Sequence, residues 1–289
     1  MKRLVYYLYI SDDFYENYFF KCNELCLKQY IDRFDCANFV ISVDYIGDED
    51  KIKKGYEFIK NVCRDSLINY DVHVIENDSN LREVKIFDLV IMPLIEIGAN
   101  DYVFFAHNKG VFRFGNGDKK MHFSIMMWIC FLYYYSFCNF EELENAFNNG
   151  KLFYGNNLTM LNEKFYLKII EESGNKLLID QTKFTSFAHY AGCFYWFNIS
   201  KIKEEIEKQG ISFYEKIKYT HFLEFFPMYF CANKIASYND LMIIGSSKYN
   251  PYIMDYGTWI DYIKLIDTDT KCLPFMKNII LEINKEQQE

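Results

Sequence analysis

The chain has 289 residues, of which 51% are hydrophobic and 19% aromatic, so it can bury a large core, and this excludes a disordered protein. Its formal net charge of −8 excludes a general nucleic-acid binder, since phosphate binding depends on cationic side chains, and it disfavours broad adsorption to anionic membranes. With only 4 prolines and no Pro- or Gly-rich linker, residues 1–289 are predicted to form a single domain.

The first half of the chain alternates strand and helix patterns. Apolar runs predict buried strands at residues 4–10, 39–45 and 101–106, and a further strand is predicted at 70–75. Between them we predict a helix capped by Ser11, a second helix at 48–62 and a third at 81–97, which Pro93 makes imperfect. This alternation predicts an α/β fold, with a mostly parallel sheet and helices on both faces, whose ligands bind beyond the carboxyl ends of the strands.

The second half is less regular. An apolar stretch at 123–137 predicts a buried helix that is too short to span a bilayer. The remaining patterns predict helices at 141–148, 202–208, 214–226 and 274–289, and strands at 152–155 and 192–197.

The cysteines indicate the compartment. There are 9, without CxxC pairs, and although Cys22 and Cys26 lie one helical turn apart, no second pair follows at zinc spacing. They are typical of reduced thiols that act as small apolar residues in a cytosol. The apolar N-terminus leads at once into Asp12 and Asp13 and predicts a first strand, not a signal peptide.

One polar turn follows directly on a buried strand. Residues 101–106 lead into His107, Asn108, Lys109 and Gly110, which places an imidazole and an ammonium where an α/β enzyme binds substrate. Gly110 permits a tight turn, and Lys109, with Arg113 on the same loop, could face a diphosphate. A surface turn whose histidine makes its hydrogen bonds within the protein, without binding substrate, explains the same spacing equally well.

A second candidate precedes the third predicted helix. Arg82 lies in the first helical turn, where the helix dipole favours an acidic residue such as its neighbour Glu83. A bound anion could compensate for the unfavourable position of Arg82 at the helix N-terminus. The alternative is an exposed arginine that binds no ligand.

The other two candidates lie in the second half. His189 and Gly192 precede an aromatic strand, in which Trp196 and Tyr195 could stack on a sugar or a base; the alternative places these rings in the core. Glu224 is a lone carboxylate in an apolar run, which favours either a general base with a raised pKa or the edge of an amphipathic helix.

In chain order these segments are HNKG (107–110), Trp128 within a helix, LFYG (152–155), HYAGCFYWFN (189–198) and EFFP (224–227). Together with the earlier Leu81-Arg82-Glu83, this order resembles bacterial and large-virus glycosyltransferases of the rhamnan-synthesis type, which assemble surface polysaccharides. The similarity covers roughly residues 1 to 235.

The resemblance implies a GT-A-like fold and a glycosyltransferase of EC class 2.4, with a nucleotide-sugar donor across the carboxyl ends of the first strands. It implies a donor-binding half at 1–120 and an acceptor-side half at 121–289. The donor residues would be Asp44, Arg82, Glu83, His107, Lys109, Gly110 and Arg113. Glu224, or else His189, would be the base, and the sugar pocket would be shaped by Gly192, Tyr195 and Trp196.

At one position this sequence departs from the GT-A pattern. Most GT-A enzymes carry Asp-x-Asp after the fourth strand to hold Mn²⁺ or Mg²⁺, and here the position holds His107-Asn108-Lys109. Lys109 could neutralise the diphosphate without metal, and His107 could bind a metal or a phosphate. The sequence therefore allows Mn²⁺ or Mg²⁺ without requiring either.

Two other functions stay open. A nucleotidyltransferase would usually carry a Gly-rich phosphate loop, and none follows the first strand. A catalytically degenerate binding or assembly protein would also explain the missing Asp-x-Asp. For the leading function we expect a nucleotide sugar and a glycan or lipid-linked acceptor as partners, no nucleic acid and no transmembrane segment. The expected location is the cytoplasm, with peripheral contact to the inner membrane surface left open.

Overall fold

A seven-stranded sheet organises the molecule, and a three-stranded sheet accompanies it. The computed structural model describes residues 1–14, 16–78, 84–116, 118–156, 158–160, 188–190, 192–209, 226–230, 234–237, 242–244, 254–266 and 270–286. The strands are β1 Lys2–Tyr9, β2 Cys36–Val43, β3 Asn69–Glu76, β4 Tyr102–His107, β5 Phe153–Gly155, β6 Leu158–Met160, β7 Ala188–Tyr190, β8 Tyr195–Asn198, β9 Ile235–Ser237 and β10 Met242–Ile244.

The helices alternate with the first strands, as the sequence predicts. They are α1 Tyr18–Lys28, α2 Glu49–Cys63, the single turn α3 Val84–Ile86, α4 Met92–Ile97, α5 Lys119–Phe137, α6 Phe140–Asn148, α7 Ile199–Gln209, α8 Tyr256–Ile266 and α9 Cys272–Glu286. Short 3₁₀ turns occur at Ile31–Arg33, Val111–Asn116 and Phe226–Tyr229.

The larger sheet has the order β3-β2-β1-β4-β8-β5-β9. Strands β1 to β4 run parallel, β8 is antiparallel to both β4 and β5, and β9 is parallel to β5. The predicted α/β class with a mixed, mostly parallel sheet is confirmed. The chain reverses its direction of strand addition between β1 and β4, and a crevice opens at such a switch point beyond the carboxyl ends of the two strands.

Both faces of this sheet are covered. On one face Tyr6 of β1 stacks on Phe58 of α2 and its hydroxyl meets that of Tyr133 of α5, at 3.0 Å. On the other face Phe226 packs edge-on against both Phe87 and Phe153. Within the described ranges no single helix is long and apolar enough to span a membrane; α5 and α6 meet the criterion only as a pair, with a 60° bend between them.

Two helix predictions need correction. The predicted cap of the first helix, Ser11, is wrong: α1 begins at Tyr18, and the side chain of Asn17 accepts from the Phe19 N–H. The predicted third helix changes its hydrogen-bond register, since α3 leads into a π-helical turn at Phe87–Ile91 that continues directly into α4, with Pro93 in the first turn of α4.

Other differences concern the second half. The segment predicted as strand 192–197 enters the sheet only at Tyr195, because Gly192 and Cys193 both have positive φ and form a turn. Helix α8 was not predicted. The predicted helix 214–226 lies outside the described residues except for its last residue, Phe226, which begins a 3₁₀ turn.

Candidate functional site

The turn that follows β4 is held to the end of β1 by one buried asparagine. Asn108 is only 4% exposed. Its Oδ1 accepts from the N–H of Tyr9 at 3.0 Å, and its Nδ2 donates to the C=O of the same residue at 2.6 Å. The side chain thus extends the β1–β4 pairing by one position and fixes the two strand ends relative to each other.

A second buried asparagine holds the next residue of the turn. Asn23, on α1, accepts from the N–H of Lys109 at 3.1 Å and donates to its C=O at 2.9 Å. A third amide, that of Asn17, donates to the C=O of Val111 at 3.1 Å. Three side-chain amides therefore fix the backbone of the turn, which makes it preorganised for binding.

Gly110 occupies a position that suits glycine alone. Its φ is +87°, and a Cβ there would lie 2.6 Å from Cγ2 of Ile125 on α5. Ile125 is 1% exposed and has no room to move away. The predicted tight turn at Gly110 is confirmed, and the backbone lies directly against α5.

The two predicted motifs meet at this turn. Nε2 of His107 donates to the C=O of Gly192 at 3.1 Å, across 85 residues of sequence. The ammonium of Lys109 lies 4.3 Å from the ring centre of Trp128, a cation–π contact. Gly192 has a φ of +100°, and a Cβ there would approach Trp128 to 3.6 Å. His107, Lys109 and Gly192 thus form one cluster beside Trp128.

A second polar cluster lies beyond the carboxyl ends of β2 and β3. Asp44 accepts from the hydroxyl of Tyr9 at 2.8 Å and from Nδ2 of Asn77 at 3.0 Å. The Lys51 ammonium lies 3.8 Å from Asp44 and hydrogen-bonds Asp12. Burial disfavours this ammonium, but the bond to Asp12 and the surrounding carboxylates outweigh it and raise the pKa of Lys51. Lys51 therefore stays charged at neutral pH, next to a carboxylate of Asp44 that is 46% exposed.

The turn and this cluster lie at the same edge of the sheet. Strand β1 separates β2 from β4, and neighbouring strands are about 4.8 Å apart, so the ends of β2 and β4 are about 10 Å apart across the switch-point crevice. Arg113 is exposed in the turn Val111–Asn116, on the same loop as Lys109. The edge thus carries an ammonium, a guanidinium and an accessible carboxylate.

Two predicted sugar-binding rings lie in the core instead. Trp196 and Tyr195 are both 0% exposed. Nε1 of Trp196 donates to the C=O of Ser136 at 2.9 Å and its ring stacks on Phe34, while Tyr195 stacks on Tyr190. Stacking on a sugar needs an accessible ring face, so the predicted pocket role of these two side chains is wrong, and their role is to pack the sheet.

Other predicted site residues cannot be placed. Arg82, Glu83 and Glu224 lie outside the described residues. His189 lies in β7, where its backbone pairs with Thr159 of β6 in the small sheet, and its side chain is outside the description.

The described residues after β4 do not fit Mn²⁺ or Mg²⁺, which prefer oxygen ligands. The amide of Asn108 is engaged with Tyr9, and Lys109 brings a positive charge. Since the Gly192 carbonyl can only accept, Nε2 of His107 carries the proton of that hydrogen bond and cannot serve as a ligand in this arrangement. In the part of the chain that the structure describes, a group of three or more metal-ligating side chains occurs only at a set of buried cysteines.

Sequence reasoning missed the role of the asparagines. It treated Asn108 as one polar residue of a turn and did not single out Asn23. One signal was present: Asn23 lies between Phe19, Cys22 and Cys26 on a helix whose other inward residues are mostly apolar. An amide on such a face has to satisfy its hydrogen bonds inside the protein, and therefore marks a buried backbone partner.

Comparison with known proteins gives a structural likeness. No protein-family model matches the chain, and no curated protein matches its sequence. Among solved structures, the crystal structure of core-mannan synthase A from Aspergillus fumigatus, in its Mn/GDP form, is similar with a TM-score of 0.30 and 9% sequence identity. The match covers 82% of this chain and 73% of that one.

We expect Asn108→Ala to lower the free energy of unfolding by about 2–4 kcal/mol, because two hydrogen bonds are lost and the buried backbone groups of Tyr9 lose their partner. Denaturant unfolding measures this change. The control is Asn148→Ala, at an exposed position of α6, which should stay within about 0.5 kcal/mol of the parent protein. Equal effects of the two substitutions would contradict the structural role of Asn108.

Proposed function

We propose that this chain is a glycosyltransferase that transfers a sugar from a nucleotide donor to a hydroxyl group of an acceptor. The observation that carries the proposal is the preorganised turn at the switch point of the sheet. Asn108 and Asn23 fix its backbone, and it presents the ammonium of Lys109 beside the crevice. A fixed cation at the carboxyl edge of a parallel sheet is suited to a diphosphate leaving group.

The donor would extend along the edge between the two polar groups. Its diphosphate would contact Lys109, together with Arg113 on the same loop, and Arg82 with Glu83 would complete this end. Gly110 would contribute through its positive φ, which the tight turn that carries Lys109 requires. The ribose or the base would meet Asp44 beyond the end of β2, whose half-exposed carboxylate is already oriented by Tyr9 and Asn77.

Charge neutralisation is assigned to these cations. As the bond between the anomeric carbon and the diphosphate breaks, negative charge grows on the leaving oxygen, and an ammonium already in place stabilises it. Because the turn is rigid, little reorganisation accompanies this step. The described residues after β4 supply no carboxylate set for a divalent ion, so the proposed source of positive charge is Lys109 with Arg113.

The acceptor side is proposed from the sequence. Glu224, or else His189, would remove the acceptor proton, and a single base opposite the leaving group implies inversion at the anomeric carbon. Residues 1–120 would bind the donor and residues 121–289 the acceptor. The acceptor would be a glycan or lipid-linked glycan in surface polysaccharide synthesis at the inner face of the membrane, as the resemblance to the rhamnan-synthesis type implies.

Thermal unfolding with a panel of nucleotides tests the proposal. UDP, GDP, CDP and dTDP are each added with and without Mn²⁺. A nucleotide at about 100 times its dissociation constant stabilises the folded state by about 2.7 kcal/mol, which raises Tm by roughly 5 °C or more. The matching nucleotide sugar should then be consumed in an acceptor assay. If no nucleotide shifts Tm and no donor is consumed, the proposal fails and the result favours a binding or assembly protein.

A further inference from the structure

Three cysteine thiols converge between α1 and α5. Cys22 and Cys26 lie one turn apart on α1, and Cys130 faces them from the middle of α5. All three are 0% exposed. The Sγ atom of Cys130 is 4.0 Å from that of Cys22 and 3.9 Å from that of Cys26, and all three sulfurs lie within 4.8 Å of one another.

These spacings match those of a metal–thiolate site. A zinc ion is bound by cysteine sulfur at about 2.3 Å, which places two ligand sulfurs about 3.8 Å apart in tetrahedral geometry and about 4.0 Å apart in a planar trigonal one. The distances to Cys130 therefore need almost no adjustment.

The three thiols already contact one another inside the protein. The Sγ of Cys26 donates a hydrogen bond to the Sγ of Cys130, so α1 and α5 already hold these two side chains together. Because all three thiols are fully buried, an ion bound there would be shielded from water by the packed helices.

We propose that Cys22, Cys26 and Cys130 together bind one Zn²⁺ ion. Soft thiolate ligands select Zn²⁺ or Cu⁺, and three thiolates leave a net charge of −1 with Zn²⁺ and −2 with Cu⁺. The smaller residual charge costs less in a buried site, and this favours Zn²⁺. On binding, each sulfur–metal bond replaces an S–H bond, and the thiols that were protonated release their protons to solvent.

The ion would fasten the two helices that support the turn after β4. Helix α1 carries Asn23, which hydrogen-bonds the backbone of Lys109. Helix α5 carries Trp128, whose ring contacts the Lys109 ammonium. Asn23 directly follows Cys22 on α1, and its Oδ1 accepts a hydrogen bond from the hydroxyl of Tyr133 on α5 at 3.4 Å. The metal is therefore a structural ligand behind the turn, and the proposal is independent of the reaction proposed above.

Metal binding to the purified, reduced protein tests this inference. After treatment with a chelator, the protein is titrated with Zn²⁺ and, in a second arm, with Cu⁺ held in a competing complex. We expect one Zn²⁺ per chain, a Tm higher by roughly 5 °C or more at saturation, and protection of these three cysteines from alkylation as mapped by mass spectrometry. Cys130→Ala should abolish all three effects.

The control is Cys63→Ala, which removes another buried cysteine, on α2, and should bind Zn²⁺ as the parent protein does. Protection from alkylation is measured in the parent protein, so it tests the site even if Cys130→Ala folds poorly. Thiols that only pack would give no stoichiometric Zn²⁺ and no protection, and this result overturns the proposal. Binding of Cu⁺ alone, or equal Zn²⁺ binding by Cys130→Ala, also overturns it.

Discussion

Replacing Lys109 with methionine should lower turnover of the nucleotide-sugar donor by about 10²–10³-fold, the scale seen when one fixed group that stabilises transition-state charge is removed. Methionine keeps the length and much of the apolar contact with Trp128 but removes the ammonium 4.3 Å from that ring. The donor's diphosphate would then leave without its fixed cation. Steady-state kinetics with the donor found in the nucleotide panel measure the loss.

Two comparisons separate this effect from a folding defect. Lys120→Met removes an exposed ammonium near the start of α5 and should leave turnover within about twofold of the parent protein. The Tm of Lys109→Met should fall by no more than a few degrees, since a cation–π contact contributes about 0.5–2 kcal/mol. Full turnover by Lys109→Met would remove Lys109 from the proposed mechanism.

Replacing Gly110 with alanine should cost about 2–5 kcal/mol of unfolding free energy. The residue has a φ of +87°, which an L-residue adopts at a cost of about 1–2 kcal/mol. The new methyl group would also lie 2.6 Å from Cγ2 of buried Ile125, and forcing an extra methyl into a packed interior costs about 1–3 kcal/mol. Denaturant unfolding measures the change, and turnover should fall with it because the displaced backbone carries Lys109.

A nearby glycine provides the matched control. Gly115 lies on the same loop without a positive φ, and a Cβ there would meet nothing within 4 Å. Gly115→Ala should therefore be neutral or slightly stabilising, by less than about 1 kcal/mol. If Gly110→Ala and Gly115→Ala change the free energy of unfolding equally, the backbone strain and the close contact inferred at Gly110 are contradicted.

The sheet was largely predictable from local patterns. Strands β1 to β4 lie within three residues of their predicted bounds. Strands β1, β2 and β4 are buried on both faces and require an almost continuous apolar run, whereas β3 lies at the edge of the sheet and is partly exposed. The same continuous apolar pattern explains why Trp196 and Tyr195 were wrongly predicted to line a sugar pocket. When helices cover both faces, neither set of alternate residues is exposed, so the period of two does not reveal an accessible ring.

The first residue of α1 could not be predicted from helix propensity, because it depends on a tertiary contact. Ser11 is an acceptable helix cap, but its hydroxyl hydrogen-bonds Asp13. The cap is Asn17, whose amide also reaches Val111 at the far end of the turn after β4. A residue 94 positions away thus decides where the helix begins. The amides of Asn23 and Asn108 also bond to backbone groups distant in sequence, and only the tertiary structure brings these together.

The late position of β8 has a consequence for synthesis of the chain on the ribosome. Strand β4 pairs with β1 on one side and with β8 on the other. About 90 residues separate the end of β4 from the start of β8, so at about 5–20 residues per second the second edge of β4 waits on the order of 5–20 s for its partner. During that interval Tyr102–His107 presents an apolar strand edge with unpaired backbone groups, a template for association between nascent chains. We therefore expect the yield of folded protein to depend on chaperones that cover this edge until Tyr195–Asn198 emerges.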